Sequence, residues 1–257
     1  MRVRERVRSW FKVRFAVASP SRHHSARLAL EEDIVHRALL VIAKEPEAGR
    51  TKTRLTPHLN DQEAADLYRC LLLDTLDLMQ QVPDVQPIVA YHPEGARVFF
   101  RDFAPPGFDF IPQVGSDLGA RLDNVLAHCL RNGYRQAAVM NSDGPTLPLA
   151  YLNQAFDALD DPDVDVVLGP SDDGGYYLIG LKAPCPALFE GIVMSTSTVL
   201  AETLSRAEQE ALRAVCLPSW YDIDTDEDLA RLIEDLDSQA GSEAAHTRAF
   251  LTRTGRL

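Results

Sequence analysis

From about residue 38 the chain alternates between two hydrophobic rhythms. Apolar runs of strand length occur at 38–43, 86–91, 136–141, 164–168, 176–181 and 213–217. Between them lie longer stretches in which apolar residues recur at helical spacing, most clearly at 61–81, 119–132, 149–159, 197–209 and 226–238. In the first of these, Ala65, Leu72, Leu76 and Met79 fall near one stripe. Strands alternating with helices predict an α/β domain with a mostly parallel central sheet flanked by helices. A single domain is expected over 36–240, followed by a polar C-terminal tail, 241–257.

Residues 1–35 break the rhythm. Arginines alternate with valines at the start, and a Ser/His-rich stretch follows. Val3, Val7, Trp10 and Phe11 would share a helix face, whereas Phe11, Val13, Phe15 and Val17 alternate as in a strand. The composition favours a disordered or loosely docked basic extension. A membrane-surface contact through residues 1–30 and an organelle-type presequence are the alternatives.

Length and charge narrow the function classes. At 257 residues, 46% hydrophobic and 25% charged, the chain has the make-up of a water-soluble globular protein. Residues 1–30 hold eight Lys or Arg against one Glu, yet the whole chain carries a net charge of -12. The body is therefore strongly acidic and would repel nucleic acid. It can still bind nucleotides through a divalent cation and a few placed basic groups. No apolar stretch approaches the roughly 18 residues of a membrane span. The four cysteines are scattered without a C-x-x-C pair, which argues against a zinc site or a disulfide framework and leads to a cytoplasmic expectation.

Five loops at predicted strand ends carry candidate chemistry. The first, residues 43–57, places Lys44, Arg50, Lys52 and Arg54 around the flexible Gly49. It is neither a Rossmann fingerprint nor a Walker A loop, but backbone N–H groups with nearby cations suit phosphates. In the second, residues 113–126, Gln113 and the backbone near Gly115 can address a base and Asp117 joins them as a nucleotide-binding candidate, while Ser116 or Asp117 can also cap the next helix. The stretch N-S-D-G-P-T-L-P, 141–148, presents Asp143 just past a buried strand, at the edge where open α/β sheets bind ligands.

In P-S-D-D-G-G-Y-Y, 170–177, Gly174 and Gly175 permit close backbone approach, and Asp172 or Asp173 can accept from sugar hydroxyls or act as a base. The same residues also read as a tight hairpin turn. The last loop, W-Y-D-I-D-T-D-E-D-L, pairs Thr225 with Asp228 in a capping-box pattern. Asp222 and Asp224 lie before that cap and are not explained by it. With Asp143 they can supply an all-oxygen site for Mg²⁺ or Mn²⁺.

Taken with G-S-D-L-G-A-R-L, D-D-G-G-Y-Y-L-I-G-L and S-T-S-T-V-L, these motifs resemble the DUF2064 family over about residues 38–238. That family is described as a glycosyltransferase-A-type transferase linked to arsenosugar biosynthesis. It groups with the nucleotide-diphospho-sugar transferases and is similar to phospholactate guanylyltransferases and molybdenum-cofactor nucleotidyltransferases. The resemblance implies a glycosyltransferase-A fold, nucleotide phosphates on the Gly49–Arg54 loop, and metal at Asp143 and Asp224 with Asp222 assisting. It also implies that Gly174, Gly175 and Tyr176, with Ser195 and Thr196, face the sugar or acceptor. Two departures stand out. Asn141 removes the first carboxylate of a D-x-D pair, and Met194 stands where the family commonly has Trp.

The expected activity is therefore metal-dependent transfer from a nucleotide donor, with Lys52, Arg54 and Asp173 as the catalytic groups. Glycosyl transfer from a nucleotide-sugar to a small-molecule acceptor is the first reading. Nucleotidyl transfer from a nucleoside triphosphate to a phosphorylated small molecule, releasing pyrophosphate, is the second. A nucleotide-binding protein without turnover is the third.

Overall fold

The computed structural model describes residues 36–55, 59–238 and 244–257. The basic extension expected at 1–35 lies outside these residues. The sheet has seven strands in the order β3-β2-β1-β4-β6-β5-β7. They are β1 (Arg37–Lys44), β2 (Val85–His92), β3 (Asp109–Pro112), β4 (Gln136–Met140), β5 (Val166–Pro170), β6 (Tyr176–Leu181) and β7 (Ala214–Cys216). All neighbours pair in parallel except β6, which runs antiparallel to both β4 and β5. Five residues join β5 to β6, too few for a parallel crossover, so the chain must turn back.

Among the described residues seven α-helices accompany the sheet: α1 (Asp61–Met79), α2 (Arg97–Phe103), α3 (Leu118–Arg131), α4 (Leu149–Asp160), α5 (Val199–Gln209), α6 (Asp226–Ser238) and α7 (Ala245–Arg253). The central strand β1 shows why both faces need cover. Leu39, Val41 and Ala43 enter one core with Leu72 and Leu76 of α1 and Phe156 of α4. Ala38 and Leu40 enter the opposite core with Leu122, Val125 and Leu126 of α3. A strand buried on both faces reads as a continuous apolar run, as this one does from Ala38 to Ala43.

Three elements were not expected from the sequence: β3, α2 and α7. The expected polar tail is the clearest correction. Ala245–Arg253 is a helix whose Phe250 and Leu251 join a third core with Leu67 and Leu71 of α1 and Leu229, Leu232 and Leu236 of α6. Its start is held by a carboxylate from another helix. Asp74 of α1 accepts hydrogen bonds from the His246 and Thr247 backbone N–H groups at 2.9 and 2.8 Å. Those are groups that a helix N-terminus leaves without intrahelical partners.

Strand order reverses around β1. The chain moves outward from β1 to β2 and β3, then returns to the other side of β1 as β4. In such sheets the loops leaving the two divergent strands separate and open a crevice at their carboxyl ends. The Lys52 loop leaves β1 there, and the Asp143 turn leaves β4.

Candidate functional site

Asp143 is oriented from behind by a short chain of hydroxyls. Ser142 Oγ donates to Asp143 Oδ1 at 3.2 Å, and Tyr68 OH lies 2.8 Å from Ser142 Oγ. The Tyr68 hydroxyl also accepts from the Lys44 backbone N–H at 3.2 Å, tying α1 to the end of β1. Burial, reinforced by the Asp143 charge, pushes the Tyr68 phenol up to about 12. Tyr68 is therefore a neutral hydrogen-bonding support. Nothing in the amphipathic pattern of α1 distinguishes it from an ordinary core aromatic.

Asp224 arrives from the other end of the chain. The Ile223 backbone N–H donates to the Asp143 carbonyl at 3.1 Å, which docks residues 221–225 on the Asp143 turn. Asp228 then fixes the start of α6. Its Oδ2 accepts from the Asp224 and Thr225 N–H groups and from Thr225 Oγ1 at 3.1, 2.8 and 2.8 Å. The Thr225–Asp228 cap thus holds the backbone of Asp224 while leaving its carboxylate uncommitted to the helix.

Lys52 completes the cluster. Its ammonium lies 2.8 Å from Asp143 Oδ2 and 2.6 Å from Asp224 Oδ1. Burial alone would lower the Lys52 ammonium, but the two carboxylates outweigh it and hold the group above its ordinary value. The backbone here is strained, with Lys52 at φ +50°. Asp222 lies beside this cluster, held by Ser171 Oγ at 2.7 Å. Burial pushes its carboxyl up to about 6, against the Ser171 hydrogen bond and with the charges of Asp143, Asp224 and Asp173.

These residues open into a cleft of about 240 Å³. Arg54, Asp143, Asp173, Asp222 and Asp224 all line it. Gly175, Tyr176, Ser195 and Thr196 do too, along with Asn141 and Met194. The turn between β5 and β6 is indeed a hairpin, closed by Ser171 N–H to Gly175 C=O at 3.0 Å, and it lines the cleft as well. Gly174, at φ +90°, packs so tightly that a Cβ would stand 2.2 Å from the Ser197 carbonyl oxygen. That contact fastens the hairpin to the 193–198 loop.

Other sequence candidates are placed elsewhere or committed to local structure. Arg50 pairs with Glu47 at 2.9 Å on the surface, and Lys44 Nζ donates to the Arg50 carbonyl at 3.4 Å. Neither they nor Gly49 line the cleft. Gln113 donates its amide to the carbonyls of Ala43 and Ala90, at 3.2 and 2.7 Å, joining the ends of β1 and β2. Gly115 packs against the backbone of α3, where a Cβ would meet Arg121 N at 2.8 Å. Asp117 is the N-cap of α3, accepting from Ala120 N–H at 2.9 Å. Asp172 pairs with Arg231 at 2.7 Å, away from its neighbour Asp173.

The donor set suits a hard divalent cation in kind, since Mg²⁺ and Mn²⁺ take carboxylate oxygens and complete their shells with water and ligand phosphates. Among the described residues no three His, Cys, Asp or Glu side chains converge as a ready-made cage. Two carboxylates converge instead, on an ammonium.

Comparison with known proteins agrees with this architecture. Residues 75–196 match the model of the family DUF2064, described as an uncharacterized protein conserved in bacteria. The chain is similar to a protein of Desulfovibrio desulfuricans G20, described provisionally as a nucleotide-diphospho-sugar transferase, at 30% identity and a TM-score of 0.78. That match covers 86% of this chain and 95% of the other.

Two further solved structures share the fold at low identity. One is CMP:2-keto-3-deoxy-manno-octonic acid synthetase complexed with CTP, at 12% identity and TM-score 0.51, covering 79% of this chain and 98% of that one. The other is 4-diphosphocytidyl-2C-methyl-D-erythritol synthase from Anaerococcus prevotii DSM 20548, at 13% identity and TM-score 0.52, covering 80% and 98%. No curated protein matches by sequence. The chain belongs to the DUF2064 family and has the nucleotide-diphospho-sugar transferase fold of the glycosyltransferase-A type.

Proposed function

We propose that this protein is a metal-dependent transferase that moves a glycosyl group from a nucleotide-sugar to a small-molecule acceptor. The carrying observation is the Asp143–Lys52–Asp224 cluster at the carboxyl ends of β4 and β1, with Arg54 on the same cleft. Asp143 and Asp224 would hold Mg²⁺ or Mn²⁺, and the bound ion would neutralise the donor diphosphate and the charge that grows on it. Lys52 and Arg54 would add fixed positive charge at the same phosphates. Asp222, crowded by its acidic neighbours, would assist in holding the ion once deprotonated.

Asp173 is the carboxylate that lines the cleft beside Gly175 and Tyr176, and its Oδ1 accepts from Gly175 N–H at 2.8 Å. In the proposed reaction an acceptor hydroxyl attacks the anomeric carbon. The bond from that carbon to the diphosphate oxygen breaks, a nucleoside diphosphate leaves, and the hydroxyl proton passes to Asp173.

The cation inventory favours glycosyl over nucleotidyl transfer. Of the four cations in the first loop, Lys52 and Arg54 are at the cluster and cleft, while Lys44 and Arg50 are committed to the loop itself. That is a modest set for a triphosphate and a reasonable one for a diphosphate. The test is product analysis with Mg²⁺ or Mn²⁺ against panels of nucleotide-sugars and nucleoside triphosphates. Release of nucleoside diphosphate, lost in Asp143→Asn, is expected. Pyrophosphate release from a triphosphate would replace the reading with nucleotidyl transfer. Nucleotide binding with neither product would make the protein a binder without turnover.

A further inference from the structure

A second, larger groove adjoins the cleft. It has a volume of about 670 Å³ and runs between the first half of α3 and the segment 186–195. Leu118, Met194 and Ser195 line both cavities, so the two meet along a common wall. At that junction Ser195 has φ +65°, a left-handed conformation that costs a non-glycine residue energy and tends to persist at ligand sites.

The groove has a distinctive chemistry. Phe189, Ile192 and Val193 give it an apolar wall, and Val193 is 69% exposed. Asp117, Asp123 and Glu190 give it three carboxylates, and among the described residues no Lys or Arg lines it. Among the described residues three cations stand close by without entering the lining, one of them Arg121, which attracts Asp117. Arg131 attracts Asp123, and Arg206 Nη2 would lie 3.7 Å from a Cβ on Gly191. Burial, opposed by Arg131 and aided by Glu190, holds the Asp123 carboxyl above its usual range.

We propose that this groove is the acceptor arm of the site, and that it takes an uncharged or cationic hydroxyl compound with an apolar portion while rejecting phosphorylated acceptors. The inference rests on the glycosyl-transfer reading and deepens it, because the nucleotidyl-transfer alternative considered above takes a phosphorylated acceptor. An acceptor lying on the apolar wall would extend its hydroxyl past Ser195 and Met194 towards Asp173. The volume is in the range of small-molecule sites. Charge complementarity decides between occupants of similar shape.

The experiment follows methyl resonances of the full chain labelled at its four methionines, Met1, Met79, Met140 and Met194. Met140 lines the cleft and not the groove, whereas Met194 lines both. Nucleoside diphosphate with Mg²⁺ is added first and should shift Met140. Choline, its uncharged isostere 3,3-dimethylbutanol, and glycerol 3-phosphate are then titrated separately.

The first two should shift Met194 without moving Met140 further, and glycerol 3-phosphate should not. Replacing Asp123→Lys and Glu190→Lys together should weaken choline by about three- to tenfold and leave dimethylbutanol and nucleotide binding unchanged. The pair Asp123→Asn and Glu190→Gln should give the same direction should the lysines impair folding. Preference for glycerol 3-phosphate, no Met194 response to any probe, or indifference of choline to both variant pairs would overturn the assignment. Choline binding without any nucleotide response would overturn the donor reading instead, leaving an amphiphile-binding groove.

Discussion

Lys52 offers the sharpest test of the cluster, because its ammonium stands between two carboxylates that would otherwise face each other. Lys52→Met keeps the length of the side chain and removes the charge. Deleting one partner of a buried ion pair costs about 3–5 kcal/mol. Here Asp143 is 22% and Asp224 42% exposed, so water takes over part of the compensation, and about 1–3 kcal/mol is the appropriate scale. In a domain of this size each kcal/mol moves the thermal midpoint by about 2–4 °C, which gives a fall of roughly 2–12 °C in EDTA. Mg²⁺ should then recover the variant, since the ion can use the oxygens that Lys52 vacates. Linkage supplies ~2.7 kcal/mol when free metal is a hundredfold above its Kd. The parent should gain less, because its own ammonium competes for those oxygens. Calorimetry or dye-based melting of both proteins, with and without Mg²⁺, reads all four midpoints. Equal midpoints in EDTA, together with no greater metal response in the variant, would refute the account of the cluster.

Three further outcomes are expected. Gly174→Ala should destabilise by about 1–3 kcal/mol, since the new Cβ meets the Ser197 carbonyl and φ is +90°, and denaturant unfolding would measure it. Asp74→Ala should cost about 1–3 kcal/mol and speed amide exchange at His246 and Thr247, because their N–H groups lose a buried acceptor. For pH, Asp222 has a folded value of about 6, above the ordinary carboxylate value. The native state therefore binds this proton more tightly than the unfolded chain. The resulting stability is present at low pH and is lost as pH rises through 6. In EDTA, the stability of the parent relative to Asp222→Asn should fall by about 2 kcal/mol between pH 4 and pH 7, as denaturation at a series of pH values would show.

Much of the frame was legible because burial leaves a strong rhythm. Six of the seven strands follow apolar runs, and the five longest periodic stretches became helices. The missed elements share a physical reason. Asp109–Pro112 is a four-residue edge strand ending in proline, and Arg97–Phe103 is a single short helix with aromatics on several sides. Ala245–Arg253 carries its two large buried side chains next to each other in sequence, so it shows no stripe, and its cap is supplied by Asp74 far away in the chain.

The site divides in the same way. Asp143 is readable as the carboxylate after a buried strand, and Asp224 as the acid that the α6 cap does not use. Their meeting depends on the Ile223–Asp143 backbone hydrogen bond, which no local pattern announces. Tyr68 and Ser142 were invisible for a related reason, since their role is to orient another side chain. The groove beside α3 went unread because its wall is built from α3 and a segment of irregular structure. Asp117 reads in the sequence as a helix cap and a nucleotide contact, not as part of this wall.

Mn²⁺ soaked into crystals with a nucleoside diphosphate, and located by anomalous scattering, tests the central claim most directly. The account expects one manganese peak bridging Asp143, Asp224 and the diphosphate, with Lys52 turned from the carboxylates to the phosphates. Manganese elsewhere, with Lys52 still bound between Asp143 and Asp224 and the nucleotide outside the cleft, would contradict it.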